Sequence, residues 1–211
     1  IEDFKNKEII VPFRADMPDI VMQALIKKSG LDIKNDFKLQ YVATPVDAMQ
    51  MLILRRADHA LLAEPAISIA LRKTGSFPVK LIAPDLYRSI NLQEEWGRLY
   101  KIEAKIPQAG LAIIGDTNGK EELISKVLAE YDKSLAWYKN NKEEASKLVV
   151  KTLPMLEEKG LADSIEHVRF ENIKAINSKK DLEFFFDILM QNDSKLIGGK
   201  LPNEDFYYKW R

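Results

Sequence analysis

Residue types that commonly perform chemistry are sparse in this chain and are poorly placed for catalysis. The two histidines, His59 and His167, stand far apart, and no cysteine is present. The clustered ligands of zinc and iron sites are therefore not recognisable. No serine lies in a G-x-S-x-G elbow, so nothing indicates an activated nucleophile. We expect no metal, no cofactor and no catalytic residue, and hence a binding protein and not an enzyme.

Two other patterns have simpler explanations than chemistry. Gly198-Gly199-Lys200 lacks the spacing of a phosphate-binding loop and predicts a tight turn. Carboxylate pairs such as Glu94-Glu95 are sequential neighbours, which point in different directions on a helix. Such pairs serve solubility or the helix dipole more often than acid–base catalysis.

A turn between a predicted strand and a predicted helix holds the first candidate ligand contacts. It runs from Pro12 to Met17 and includes Arg14, Ala15 and Asp16. The free N–H groups at the start of the helix, with Arg14 beside them, suit a carboxylate, sulfonate or phosphate. Asp16 is equally well explained as the N-cap of that helix, with Arg14 as a solvated surface residue. Both explanations stay open.

Two further turns follow the next two predicted strands. Thr44 opens the helix after the second strand, and Glu64 stands between an apolar run and Pro65, whose restricted φ fixes the pose of the acid. Glu64 can accept hydrogen bonds from a ligand amine or hydroxyl, or can cap the helix. Open α/β sheets bind ligands at such carboxyl-terminal turns. The candidate ligand-binding residues are thus Arg14, Ala15, Asp16, Met17, Thr44, Glu64 and Pro65.

Alternating strands and helices are expected to position these turns. Strand-like runs at 7–11, 37–42 and 58–63 alternate with helical patterns, the first of which should extend from about Met17 to Ser29. This order predicts an α/β fold with a mainly parallel sheet and right-handed crossovers. Further strands are expected at 79–83 and 111–115, and a long helix from Glu121.

Composition and charge narrow the classes of function. Hydrophobic residues make up 46% of the chain and charged residues 30%, as is typical of a globular protein. The 32 basic residues balance 32 acidic ones and neither sign forms a block, so nucleic acid is not an expected partner. The apolar stretches fall short of the roughly 20 residues that cross a bilayer.

Three segments within the first 75 residues follow one recognisable order. Residues 3–12 read Asp-Phe-Lys-Asn-Lys-Glu-Ile-Ile-Val-Pro, Gly30-Leu31-Asp32 comes next, and Glu64-Pro65 ends a short aliphatic run. The order and spacing resemble the periplasmic-type solute-binding proteins of ABC transporters for nitrate, sulfonates, taurine and thiamine precursors. In that family the second lobe characteristically opens with Asp-Leu-Lys-Gly-Lys-Lys-Ile-x-Val-Pro. Asn6 and Arg55 replace glycines of the family pattern, and Ala15-Asp16 replace a common Gly-Ser.

The resemblance implies a type II periplasmic-binding-protein fold, with two α/β lobes, mainly parallel sheets and a helical C-terminal part. Residues 1–80 would form the second, inserted lobe. Residues 81–211 would return to the first lobe and add the C-terminal helices. Family members also carry an earlier βαβ region of the first lobe and a signal peptide that often ends in a lipidated cysteine. We expect both to be absent from this chain.

The same resemblance implies a function in uptake. A small organic ligand, such as a sulfonate, a nitrate-like anion or a thiamine-pyrimidine-like heterocycle, would be captured between the lobes and delivered to an ABC permease. Asp16 lies in the turn that often contacts an anionic head group in the family, which favours an amine-bearing or heterocyclic ligand over nitrate or a simple sulfonate. A monomer is expected, in the periplasm or held at the outer face of the cell membrane by a lipid anchor that this chain lacks.

Two alternatives to uptake stay open. A similar two-lobed fold serves as the effector domain of transcription factors and as the sensor domain of membrane kinases. The fold also supports an enzyme related to thiamine-pyrimidine synthesis, although such chemistry would be expected to draw on histidines and cysteines that this chain lacks.

Overall fold

The computed structural model describes residues 1–209, which form a small sheet followed by a largely helical remainder. The strands are β1 (Glu8–Pro12) and β2 (Lys38–Val42). The α-helices are α1 (Met17–Lys28), α2 (Ile33–Asp36), α3 (Pro45–Ile53), α4 (Ala66–Gly75), α5 (Leu92–Tyr100), α6 (Glu121–Asn140), α7 (Lys142–Thr152), α8 (Glu158–Ser164) and α9 (Lys179–Asn192). Short 3₁₀ helices cover Glu2–Phe4, Val79–Leu81, Ile165–His167, Ser194–Ile197 and Glu204–Phe206. The α/β class predicted from the sequence is confirmed.

β1 is the central strand, because both of its edges are hydrogen-bonded. Along one edge it pairs in parallel with β2 over its whole length. Along the other edge the N–H of Ile10 donates to the carbonyl of His59 at 3.0 Å, and the N–H of Leu61 donates to the carbonyl of Ile10 at 2.8 Å. These bonds form a parallel bridge between Ile10 and Ala60. The third predicted strand is therefore a single bridge and not a regular strand.

The helix α1 covers the sheet and begins and ends close to the predicted positions. Its N-cap is Asp16, and Pro18 occupies the first turn, where a missing N–H has no helical partner to lose. Met22 and Ile26 pack with Val11 of β1 in one buried cluster. Burial of such side chains stabilises the fold by roughly 1.5–3 kcal/mol each. This packing holds the turn between β1 and α1 in place.

Two of the predicted strands are wrong. Residues 79–83 contain the 3₁₀ helix Val79–Leu81, and Leu81 and Ile82 are 74% and 77% exposed. Residues 111–115 have no strand partner within the described chain, and Ile114 is 94% exposed. A β-branched run becomes a strand only where a neighbouring strand accepts and donates its backbone hydrogen bonds. Neither run has such a neighbour among residues 1–209.

The chain divides into two compact units. Unit 1 comprises Ile1–Lys105 and Lys142–Val168, and it holds the sheet, α1 to α5, α7 and α8. Unit 2 comprises Ile106–Asn141 and the described residues from Arg169 onward, and it holds α6 and α9. The division at residue 80 that the resemblance implies refers to the lobes of a larger fold and stays a prediction.

Unit 2 is built around aromatic contacts. The ring of Tyr138 on α6 meets that of Phe170 edge-on, with 5.3 Å between the ring centroids. Tyr207 is 1% exposed, and its hydroxyl donates to Glu183 on α9 at 3.2 Å.

The predicted long helix is confirmed, since α6 has 20 residues. None of the helices in the described part of the chain is both long enough and apolar enough to cross a membrane.

Candidate ligand-binding site

The three candidate turns emerge from the same edge of the sheet. The N–H of Phe13, just after β1, donates to the carbonyl of Val42 at the end of β2, at 3.2 Å. Ala60 runs parallel to Ile10 of β1, and Glu64 lies four residues beyond it. All of these residues belong to unit 1. These turns lie at the carboxyl ends of the parallel strands, which we call the carboxyl edge of the sheet. Open α/β folds bind ligands at this position.

The backbone of the first turn is folded tightly upon itself. Phe13 and Ala15 have φ of 53° and 63°, left-handed values that cost a residue with a side chain roughly 1–2 kcal/mol. The N–H of Asp16 donates to the carbonyl of Phe13 at 3.0 Å, and the N–H of Met17 donates to the Asp16 carboxylate at 2.8 Å. These donors are engaged within the protein, and an anion at this helix end would have to displace the N-cap carboxylate.

A buried carboxylate holds this turn against β2. Asp19 is fully buried and accepts hydrogen bonds from the N–H of Ala15 at 2.8 Å, from Nε2 of Gln23 at 2.8 Å and from the hydroxyl of Tyr41 at 3.1 Å. Burial, and next the charge of Asp19, raise the pKa of the Tyr41 hydroxyl above its ordinary value. The sequence does not reveal that Asp19 is buried, because Tyr41 lies on β2, 22 positions away.

Arg14 is exposed and lies over an aromatic ring. Its guanidinium carbon is 5.1 Å from the ring centroid of Tyr41, a distance at which a cation is attracted to the ring face. Among the described residues it makes no ion pair. Its N–H donors therefore face solvent beside the first turn.

The hydroxyl of Thr44, in the second turn, both donates and accepts a hydrogen bond within the protein. The hydroxyl donates to the Asp47 carboxylate at 2.7 Å and accepts from the N–H of Asp47 at 3.2 Å. The same carboxylate accepts from the N–H of Thr44 at 2.9 Å. This is a capping box at the start of α3. The observed role of Thr44 is to define the end of the second turn.

Glu64 in the third turn is bound on both of its oxygens. Its Oε2 accepts from the N–H of Ser68 at 3.1 Å, and its Oε1 accepts from Nη2 of Arg88 at 2.6 Å. Nη2 also donates to Oγ of Ser68 at 2.8 Å. The Glu64 side chain is 9% exposed and that of Arg88 is 35% exposed. The Glu64–Pro65 peptide is cis, and Pro65 precedes α4.

Arg88 is a member of the site that the sequence analysis missed. It lies 24 positions beyond Glu64 in an irregular segment between Val79–Leu81 and α5. No periodicity or spacing links the two residues, because their contact depends on how that segment returns to the start of α4. The sequence indicates only in general that Glu64 has a partner, because a carboxylate buried in an apolar setting requires a cation.

Two depressions on unit 1 lie away from these turns. One, of about 240 Å³, is at the opposite edge of the sheet, at the amino ends of the strands. It is lined by Asn6, Lys7, Glu8, Arg55, Arg56, Ala57, Asp58 and His59. The other, of about 330 Å³, lies against α4 and α8. Residues 1–209 contain no group of three or more histidine, cysteine or acidic side chains placed to hold a metal ion.

Comparison with known proteins identifies a shared fold. No family model matches the chain, and no curated protein matches it. A crystal structure of an ABC transporter from Parabacteroides distasonis matches with a TM-score of 0.70 at 19% sequence identity. The match covers 98% of this chain and 68% of the other. At that identity the likeness shows the fold alone.

Proposed function

We propose that this chain is the solute-binding component of an ABC importer, and that it captures a small organic ligand without changing it chemically. The observation that carries the proposal is the fold shared over 98% of the chain with the structure of an ABC transporter. The family-like order of residues 3–12, Gly30-Leu31-Asp32 and Glu64-Pro65 supports the same conclusion independently. The two-lobed type II arrangement, the extracytoplasmic location and the permease partner belong to this proposal.

The turns at the carboxyl edge of unit 1 are proposed to form its share of the ligand site. Arg14 offers free N–H donors beside an aromatic ring, and Asp16 presents an exposed carboxylate. Pairing opposite charges in one turn suits a ligand that carries both hydrogen-bond donors and acceptors, such as an amine-bearing acid or a polar heterocycle. Nitrate or a simple sulfonate would make no use of Asp16.

A thermal-shift screen of the intact gene product tests this function. The panel contains sulfonates, nitrate, bicarbonate, thiamine-pyrimidines, riboflavin and amino acids. A ligand present at 100 times its dissociation constant stabilises the native state by about 2.7 kcal/mol. One strong stabiliser would support solute capture. A well-folded protein that responds to none of these compounds would contradict it and favour the effector or sensor domain of a regulatory protein.

A matched pair of arginine variants locates the site. Arg14→Ala removes a guanidinium at the carboxyl edge, whereas Arg56→Ala removes an exposed one at the opposite edge of the same unit. We expect the stabilisation by the ligand to fall in Arg14→Ala and to persist in Arg56→Ala. Equal losses would place the ligand elsewhere.

A further inference from the structure

The arrangement around Arg88 is suited to recognising an acidic group on a ligand. Arginine has five N–H donors. In this structure Nη2 donates to both Glu64 and Ser68, and residues 1–209 supply no acceptor for Nε or Nη1. The three N–H groups of Nε and Nη1 are thus without an acceptor among residues 1–209, on a side chain that is 35% exposed.

Arg88 is held in position before any ligand arrives. Glu64, which is 9% exposed, fixes one end of the guanidinium at 2.6 Å, and Ser68 fixes it again at 2.8 Å. Immobilising a long side chain on binding costs conformational entropy, and part of this cost is met here by folding. A planar guanidinium in a fixed pose is the group that best matches carboxylate, sulfonate and phosphate oxygens.

We propose that Arg88, which Glu64 holds beside the third turn, contacts the ligand and binds an acidic group of it. Glu64 and Ser68 are positioning residues that orient Arg88. This inference rests on the proposed function and deepens it, since it assigns an oxyanion-bearing ligand to the same edge of unit 1. It also gives Glu64 a role different from the direct ligand contact expected from the sequence.

NMR of the arginine side chains tests the contact directly. The intact gene product, labelled with ¹⁵N, is titrated at constant ionic strength with methanesulfonate, acetate and inorganic phosphate, and with acetamide and chloride as controls. The Nε–H signal of Arg88 is assigned by its loss in Arg88→Lys. We expect that signal to shift saturably with at least one oxyanion and with neither control.

Arg72 is the matched control residue. Its side chain is 37% exposed and is paired with Asp163 at 2.7 Å, so its own exposure matches that of Arg88, while its partner is 48% exposed and not buried as Glu64 is. We expect its Nε–H signal to drift linearly without saturation. An Arg88 signal that no oxyanion shifts, or that behaves as the Arg72 signal does, would overturn the inference.

Variants separate a failure of the inference from a failure of the proposed function. For any acid that stabilises the wild type, we expect Arg88→Lys to raise the dissociation constant at least tenfold, and Glu64→Gln to raise it several-fold by loosening Arg88. Arg72→Lys should leave it unchanged. A solute that binds the wild type and Arg88→Lys equally well would refute the role of Arg88 while the uptake function stands. If Glu64→Gln lost binding while Arg88→Lys kept it, Glu64 would be the ligand contact and the inference would also be refuted.

Discussion

The hydroxyl of Tyr41 on β2 donates a hydrogen bond of 3.1 Å to the fully buried carboxylate of Asp19 on α1. The same carboxylate binds the N–H of Ala15, so one acidic side chain joins the strand, the helix and the first turn. Gln23 completes the set at 2.8 Å. The shape of the turn at the proposed ligand site therefore depends on a residue that is itself inaccessible to ligand.

The first prediction concerns the titration of Tyr41. Burial raises the pKa of its hydroxyl above 10.0, and the neighbouring Asp19 charge raises it further. Asp19→Asn should bring the pKa part of the way down, because burial remains. Difference absorbance of the phenolate during an alkaline titration measures it. The raised pKa also means that this group's contribution to stability is complete below pH 10 and is lost as the pH rises through the folded value. A titration unchanged by Asp19→Asn would contradict the contact.

The second prediction compares two aspartates in the same turn. Asp19→Ala removes the buried acceptor of the hydrogen bonds from the Ala15 N–H, the Gln23 amide and the Tyr41 hydroxyl, and should lower the free energy of unfolding by roughly 2–4 kcal/mol. Asp16→Ala removes only an exposed N-cap and should cost about 1 kcal/mol. Urea denaturation of both variants gives the two values. Equal losses would show that burial of Asp19 does not determine the stability of the turn.

The sequence predicted those parts of the fold whose signals are local. Asp16 before α1 and Thr44 before α3 carry their capping partners within three residues, and both helices begin where expected. The runs at 79–83 and 111–115 have strand-like composition but no neighbouring strand among the described residues, and composition cannot supply one.

The candidate site divides in the same way between local and non-local information. The three turns were found because each follows a strand-like run in the sequence, and the register of β1 with β2 and Ala60 brings them to one edge. Arg88 was missed because its contact with Glu64 spans 24 positions. Whether these turns bind a ligand stays a prediction.

A third prediction tests the packing of α4 against α8. A methyl group on Gly160 would lie 2.8 Å from the backbone of Ile69, closer than atoms can approach without movement. Gly160→Ala should therefore destabilise unit 1 by roughly 1–3 kcal/mol, despite alanine's better helix propensity. Gly75→Ala, at the end of α4, meets no atom within 4 Å and serves as the control, with no loss expected. Thermal denaturation followed by circular dichroism compares them, and a neutral Gly160→Ala would show that the two helices can move apart freely.

The fourth prediction concerns acid. Hydrogen bonds from Arg98 hold the pKa of Glu95 at about 2, below its ordinary value of 4.5. A depressed pKa contributes stability that is complete above the unfolded value and is lost as the pH falls from about 4.5 through about 2. Glu95→Gln should remove this part of the pH dependence, measured as urea midpoints between pH 6 and pH 2.5.

Glu122→Gln is the control for the acid experiment. Glu122 pairs with Lys126 on an exposed face of α6, and exposed pairs contribute little to stability. The pH dependence of this variant should match that of the wild type. If the pH dependence of Glu95→Gln also matched that of the wild type, the pKa of Glu95 would be the same in the folded and unfolded chains, and the Arg98 hydrogen bonds would not lower it.

The central position of β1 has a consequence for how the protein emerges during synthesis. β1 is made before both of its partners, β2 and Ala60, and the second of them comes 50 residues after Ile10. At about 5–20 residues per second, a ribosome needs several seconds to make that interval. During this time the sheet around Ile9, Ile10 and Val11 stays incomplete. A chaperone that binds short apolar segments on nascent chains would find its target here, and ribosome profiling of such a chaperone should place its release after residue 60 has left the exit tunnel.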